Sequence, residues 1–371
     1  MSTTSIPSQG LPAKEWERLE AVILDVGQGN CAIVRDGRRC LVVDVASEIE
    51  LLEELQGSGV KRIEHLIISH ADDDHVRGAL KLLPRDEISI GTLWFNPDGS
   101  KNTRTWRAFI NVAHDLFESG KINVSTAINV AAAQSLSFAR IGVEVLHPDI
   151  LFSAAGPDTK DRKESKGDDN SPRITSNGMS VTLRIHFAGQ PALLLPGDLD
   201  SDGLERIILR GRPLEAPVLV FPHHGGGSGA LSAPEFTKRL CDAVKPTTII
   251  ASMGRGHYRH PLPEVVSAIR EALPQSYFAC TQISSRCHGS TVAAIPKHLV
   301  DRPAAGRGLG ASCAGTIVVA ASSDGLVISP EAPAHAEFVG TLDNPMCNRP
   351  GTVLPIPRQD LGNAMIPDGL S

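Results

Sequence analysis

The chain has 371 residues, of which 41% are hydrophobic and 21% charged, and this composition sets aside intrinsic disorder for its bulk. A formal net charge of −6 offers no global attraction to nucleic acid, although it leaves room for a local basic groove. No run of about 18 apolar residues occurs and the first twenty residues lack the apolar segment of a secretory signal, so no membrane partner is expected and a cytoplasmic setting is.

Behind a polar tail over 1–19, the apolar stretch 21–25 reads as a buried strand. Gly27-Gln28-Gly29-Asn30 turns the chain into a second strand at 31–34, and Asp36-Gly37 marks the next tight turn. A third strand at 41–43 ends on Asp44, and 49–55 carries helical apolar spacing. The run at 63–68 predicts a strand that delivers Ser69 and His70 into a loop, and 76–83 then resumes as one helix. A second amphipathic helix is expected over 102–117, a strand at 143–146 stopping at His147-Pro148, and a polar loop over 153–173.

The second half repeats this alternation. Strands are expected at 181–187, 192–195, 217–221, 248–251 and 277–281, with helices at 202–209, 233–243 and 263–272. Past Thr281 the pattern loosens into an insertion at about 284–312, a strand returns at 315–320, and an irregular extension follows over 331–371. Two β-rich halves with outward helices point to an αββα sandwich over 20–330.

The chemistry concentrates in His70-Ala71-Asp72-Asp73-Asp74-His75. His70, Asp72, Asp74 and His75 offer two imidazoles and two carboxylates from one loop, a donor set that suits zinc or manganese. The acidic residues alone would equally serve as a solvated cap for the following helix. A cap needs one acceptor, however, and here histidines flank the acids at the end of a strand. Pro196-Gly197-Asp198, Pro222-His223-His224-Gly225 and His257-Tyr258-Arg259-His260-Pro261 also stand where apolar strands or short loops end, so one rim can gather them. His65, His114, His147, His186 and His298 have no companions at ligand spacing and read as structural.

In order, Leu24-Asp25-Val26-Gly27-Gln28-Gly29-Asn30, Ser69-His70-Ala71-Asp72-Asp73-Asp74-His75, Asn177-Gly178-Met179-Ser180, Leu195-Pro196-Gly197-Asp198, His223-His224-Gly225-Gly226 and His260-Pro261 span 21–282. This ordered set resembles the metallo-β-lactamase domain of ComEC-type DNA-uptake proteins, without their transmembrane part. The resemblance implies an αββα metallo-β-lactamase fold and metal ligands His70, Asp72, Asp74, His75, Asp198, His260 and one of His223 and His224. Asp198 would bridge two ions. The wider superfamily reads His-x-His-x-Asp-His, so Asp72 stands in place of a histidine, and Asn177 replaces the next one. Asp72 makes the site harder and favours manganese, and Asn177 leaves one of the two metal positions weakly held.

The resemblance further implies hydrolysis of DNA or another phosphodiester by water that a divalent ion makes acidic. Asp74 would orient that water, one of His223 and His224 would assist the departing group, and Arg259 would neutralise phosphoryl charge. Lacking membrane segments, such a chain would act alone or as the effector subunit of a multi-protein assembly. Two other readings stay open: a small-molecule ester hydrolase of the same fold, and a non-catalytic binding module whose metal site Asp72 and Asn177 have weakened. Cys280, Cys287, Cys313 and Cys347 fall late in the chain and form a candidate structural zinc site, or equally a set of buried apolar thiols. Cys31, Cys40 and Cys241 are assigned to the core.

Overall fold

Apolar residues at alternating strand positions are what divide this chain into layers. The computed structural model describes residues 18–158, 174–256 and 258–347. Most of the polar tail, the loop over 159–173, His257 and the extension beyond 347 lie outside the described residues. The first half supplies β1 (Leu19–Ile23), β2 (Ala32–Asp36), β3 (Arg39–Val43), β4 (Arg62–Ile67), β5 (Ser89–Trp94) and β6 (Asn123–Ser125). The second supplies β7 (Ile141–His147), β8 (Thr182–Phe187), β9 (Gln190–Leu195), β10 (Val218–Val220), β11 (Thr248–Ala251) and β12 (Tyr277–Cys280). Strands β13 (Ile317–Ser322) and β14 (Gly325–Ser329) then return to the first sheet, whose order is β14-β13-β1-β2-β3-β4-β5-β6. The second sheet runs β12-β11-β10-β9-β8-β7.

Each sheet changes character partway. Strands β1, β2 and β3 pair antiparallel, whereas β3 through β6 pair parallel. Likewise β7, β8 and β9 are antiparallel, and β9 through β12 are parallel. Parallel strands need crossover helices, and a parallel edge gathers its strand ends, where α/β proteins place their ligands.

Between the sheets lie Ala21, Ile23, Val34 and Ile67 from one and Val143, Leu183, Leu193, Val218 and Ile250 from the other. The intervening residues face outward: Val22, Ile33, Val42 and Leu66 meet Leu51, Leu55, Trp106 and Phe109 of α1 (Glu48–Gly57) and α4 (Arg104–Glu118). Leu194, Leu219 and Ile249 of the second sheet meet Leu204, Leu240, Val244 and Ile269 of α7 (Ser201–Leu209), α8 (Ala233–Val244) and α9 (Pro263–Ala272). The period of two thus sends successive side chains to a shared inner core and two outer ones, which is the αββα sandwich.

Several elements differ from expectation. The helix expected over 76–83 is two single turns, α2 (Asp73–Val76) and α3 (Ala79–Leu82). Gly78 lies between them because its amide donates to the Val45 carbonyl at 2.8 Å, and a Cβ there would stand 2.8 Å from the Glu48 amide nitrogen. Strands β5 and β6 complete the parallel edge although their short runs escape the sequence pattern. The short helices α5 (Ala133–Leu136) and α6 (Ile150–Ala155) escape it too. Within the extension, α10 (Ala332–Val339) buries His335 and Val339 against the second sheet's outer core.

His147 closes β7 in the core and its Nε2–H donates to the Gly178 carbonyl at 2.7 Å. Burial holds this imidazole down at about 4, against an ordinary 6.5. The unfolded chain therefore takes up a proton between those values and the folded one does not. Stability from this group is complete above about pH 6.5 and is lost as pH falls toward 4, by at most about 3 kcal/mol. Denaturant unfolding of the metal-free protein should show this decline, and His147→Gln, which keeps a donor without titrating, should flatten it.

Candidate metal centre

The loop after β4 enters the inter-sheet rim on a buried carboxylate. Asp44, in a left-handed conformation (φ 60°) just after β3, accepts from the Ser69 amide at 2.7 Å, from the Ser69 hydroxyl at 2.8 Å and from His75 Nδ1 at 2.6 Å. One side chain thereby fixes both ends of the metal loop. Gly29 (φ +121°) lets the first turn pass so close that a Cβ would overlap the Asp74 carbonyl and the Ala46 side chain. The Asn30 amide then donates to that Asp74 carbonyl at 3.2 Å. From the second sheet, Gly197 (φ +57°) brings Asp198 in with no room for a side chain of its own, and the Asp198 amide donates to Ser180 Oγ at 2.9 Å.

Two groups of donor atoms result, each within 4.8 Å of one another: His70, His75 and Asp198, and Asp74, His75 and His224. His75 Nε2 stands 3.2 Å from Asp198 Oδ1, and His224 Nε2 stands 3.2 Å from Asp74 Oδ2. His70 Nε2 is 3.7 Å from Asp198 Oδ2. The His70, His75 and His224 Nε2 atoms and Asp198 Oδ1 are nonetheless buried without a hydrogen-bond partner. Their neighbours are close but out of line, so the lone pairs share a common space instead of a proton.

Each ring is anchored on its other nitrogen: His75 Nδ1 on Asp44, His224 Nδ1 on the Ser252 carbonyl at 2.6 Å, and His70 Nδ1 against Ser69 Oγ at 3.0 Å. Metal-binding imidazoles are held in this way, since a donor bond at one nitrogen leaves the other as a ligand. Leaving four buried polar atoms unpaired is costly unless a cation joins them. The residues present fit a divalent ion.

The electrostatics agree. Burial alone would raise the Asp198 carboxyl, but the His75, His224 and His70 rings hold it well below the carboxylate range. Burial opposes charge on His75 too, yet Asp198 and Asp44 hold that ring well above its ordinary value. Asp74 is likewise held low by His224 and His75 against its own burial. The pocket is negative enough to draw protons onto its rings, and a divalent ion would replace them.

The expected residues divide. His70, Asp74, His75, Asp198 and His224 come together. His223 does not join them: both histidines of the pair have positive φ (51° and 57°), which splays their side chains apart. His223 Nδ1 meets the Gly227 carbonyl at 2.8 Å at the surface, and the position expected of a metal-binding His223 goes to His224. His260 stands just outside the donor groups, its ring centroid 6.5 Å from that of His224 and its Nδ1 buried without a partner. Burial and the neighbouring His224 and His223 hold its ring down at about 4, so it is neutral and free to ligate.

Asp72 also stays outside the groups. It is paired with Lys101, and its Oδ2 is 3.7 Å from His70 Nε2. Burial notwithstanding, His70 and Lys101 hold the Asp72 carboxyl down at about 2. Asn177 lies half-buried on a 3-10 turn (Asn177–Met179) in a cleft wall, and Arg259 is exposed with its carbonyl accepting from Arg286 Nε at 2.9 Å. Sequence reasoning missed Lys101 and the anchor Ser252, which carry no motif, and gave no role to Ser180, which closes the Asn177-Gly178-Met179-Ser180 motif. Asp44 is visible in the sequence only as a strand's last residue, and Ser69 as the first residue of the metal-loop motif, without a role.

Cys280, Cys287 and Cys313 sit in the second sheet's outer core, with Cys347 packed against it. Among the described residues no three of these thiols, with or without His335, lie within 4.8 Å of one another. Burial pushes all four upward, Cys347 to about 11, as befits protonated core thiols. Cys313 Sγ instead contacts His335 Nε2 at 3.3 Å. Cys31, Cys40 and Cys241 are buried as expected.

The metallo-beta-lactamase superfamily model matches residues 24–93. Competence protein ComA of Neisseria gonorrhoeae is 27% identical over 256 residues, covering 67% of this chain and 29% of ComA. ComE operon protein 3 of Bacillus subtilis is 23% identical over 223 residues, covering 59% of this chain and 24% of that protein. The chain therefore spans less than a third of either relative. Among solved structures, Igni18, a metallo hydrolase from Ignicoccus hospitalis, aligns with a TM-score of 0.39 at 14% identity, covering 70% of this chain and 94% of Igni18. Human tRNase Z, short form, aligns at 0.33 and 12%, covering 63% and 93%.

If Asp44 orients His75 as described, Asp44→Ala should weaken binding of Zn²⁺ or Mn²⁺ by about 10- to 100-fold with all five donors intact. Competition against a chromophoric chelator measures this directly, and unchanged affinity would remove Asp44 from the centre.

Proposed function

We propose that this metallo-β-lactamase-fold chain, similar to Competence protein ComA over 67% of its length, is a metal-dependent hydrolase of phosphodiesters, with DNA as its substrate. The supporting observation is the convergence of His70, His75 and His224 Nε2 with Asp198 Oδ1, buried and unpartnered, beside the Asp74 carboxylate. The choice of DNA rests on the resemblance to the competence proteins.

His70, Asp74, His75, Asp198 and His224 would hold the ion, with His260 next to them. Zinc or manganese bound there supplies Lewis acidity toward an ester oxygen and lowers the pKa of water. The protein's own part is to orient each ring so that Nε2, freed of its proton, faces the ion. His75 Nδ1–H donates to Asp44 and His224 Nδ1–H to the Ser252 carbonyl, so with an ion bound each Nε2 would face it as a lone pair.

Asp74 is the donor nearest solvent, its side chain 27% exposed, and Gln28 Nε2 donates to its Oδ2 at 3.2 Å. That places it to orient an attacking water. His223 faces outward beside His260, with its Nδ1–H donating to the Gly227 carbonyl; as the imidazolium it would pass its Nε2 proton to a departing alkoxide and be left as the neutral ring. Among the described residues no helix is long and apolar enough to cross a membrane. In this reading the chain works on its own or as the effector subunit of a larger assembly.

Purified protein supplied with Mn²⁺, Zn²⁺ or Mg²⁺ should cleave at least one of single-stranded DNA, duplex DNA, RNA and bis(p-nitrophenyl) phosphate. Asp74→Ala, Asp198→Ala and chelation should each lower turnover by at least about a thousandfold, with the circular dichroism spectrum unchanged. Full turnover in Asp198→Ala would sink the metal-hydrolase reading. Cleavage of carboxylic esters alone would keep the hydrolase and discard the phosphodiester.

A further inference from the structure

The two donor groups share a residue, His75. Its Nε2 faces Asp198 Oδ1 at 3.2 Å, and its Nδ1 is committed to Asp44 at 2.6 Å. A neutral imidazole nitrogen has a single lone pair to give. His75 can therefore serve only one ion, and the two groups overlap around one buried space. A second ion would need donors beyond His70, where Asp72 and Asn177 stand in place of two histidines.

That side already holds a positive charge. The Lys101 ammonium is paired with Asp72, whose Oδ2 stands 3.7 Å from His70 Nε2. The fold delivers Lys101 there. Buried Asp98 accepts through Oδ1 from the Ser100 amide at 2.9 Å, the Ser100 hydroxyl at 2.6 Å and the Lys101 amide at 3.2 Å. Through Oδ2 it accepts from the Ser176 hydroxyl, next to Asn177. One carboxylate thus shapes the turn before Lys101 and ties it to the opposite wall. Between these walls lies a cleft of about 710 Å³ lined by Ser100, Lys101, Asn102, Thr103, Thr175 and Asn177, among others.

We propose that the centre holds one divalent ion and that Lys101 supplies the second positive charge, facing a phosphate oxygen of the substrate in this cleft. The proposal rests on the metal-hydrolase reading above. An ammonium on Asp72 neutralises the carboxylate that a second ion would use and repels that ion. Unlike a metal, it demands no ligand geometry, and its three N–H donors match a phosphate oxygen. With the side chain of Lys101 27% exposed, the charge is reachable from the cleft.

Bound Mn²⁺, measured by plasma mass spectrometry after equilibrium dialysis, distinguishes the possibilities. Wild type and Lys101→Arg should each hold one Mn²⁺ per chain, and the double variant Asp72→His/Lys101→Met should hold two. Inorganic phosphate titrated into the Mn²⁺-loaded protein by calorimetry should bind Lys101→Met at least tenfold more weakly than wild type, with Lys101→Arg close to wild type. Two Mn²⁺ in wild type, one in the double variant, or unchanged phosphate affinity in Lys101→Met would each overturn the proposal. Two ions in wild type would leave the hydrolase reading standing, whereas none would remove both.

Discussion

The centre depends on the Asp44 carboxylate more than on any metal-ligand residue. It receives the Ser69 amide, the Ser69 hydroxyl and His75 Nδ1, and so joins the two ends of a segment that has only the single turn of α2 to hold it. Around it the main chain closes the same assembly: the Val45 amide donates to the His75 carbonyl at 2.8 Å, and the Ala46 amide to the Asn30 carbonyl at 3.1 Å. Packing the acidic loop against the Gly29 turn is therefore a backbone matter, and the side chains are left free to face the rim.

This anchoring produces a centre with two unlike sides. On the inner side, His75, His224 and Asp198 are almost wholly buried, and each is anchored by a group that does not itself touch the shared space. On the outer side, Asp72 and Asn177 are partly exposed, Lys101 and Asn177 line the cleft, and Lys101 is paired with Asp72. The inner side fits a divalent ion. On the outer side, the proposed role of Lys101 would set its ammonium against a phosphate oxygen.

The late part of the chain serves the centre indirectly. Buried Asp25, at the end of the first strand, accepts from Gln282 Nε2 at 2.7 Å, Ser312 Oγ at 2.8 Å and the Gly306 amide at 3.1 Å. The insertion read from the sequence at 284–312 is thereby stapled to the turn that presses on the metal loop. Polar bonds to one buried carboxylate, and not coordinated thiols, make the visible connection there.

The sequence by itself determined the layers and the location of the chemistry. Strand-period apolar runs divided the chain into two sheets, and His70 through His75, Asp198 and the histidine pair announced a metal rim, because those residue types end apolar strands and have few other reasons to do so. A single helix over 76–83 does not form, since its apolar spacing is sound and only the contact of Gly78 with the Val45 and Glu48 backbone breaks it. The tertiary structure alone decided which donors meet. His223 and His224 are chemically identical neighbours, and left-handed backbone at both turns one inward and the other out. Asp72 reads as a ligand until Lys101, 29 residues away, claims it. Spacing along a chain reports direction for a strand or a helix, but in loops direction is set by contacts with distant segments, and no local pattern records those.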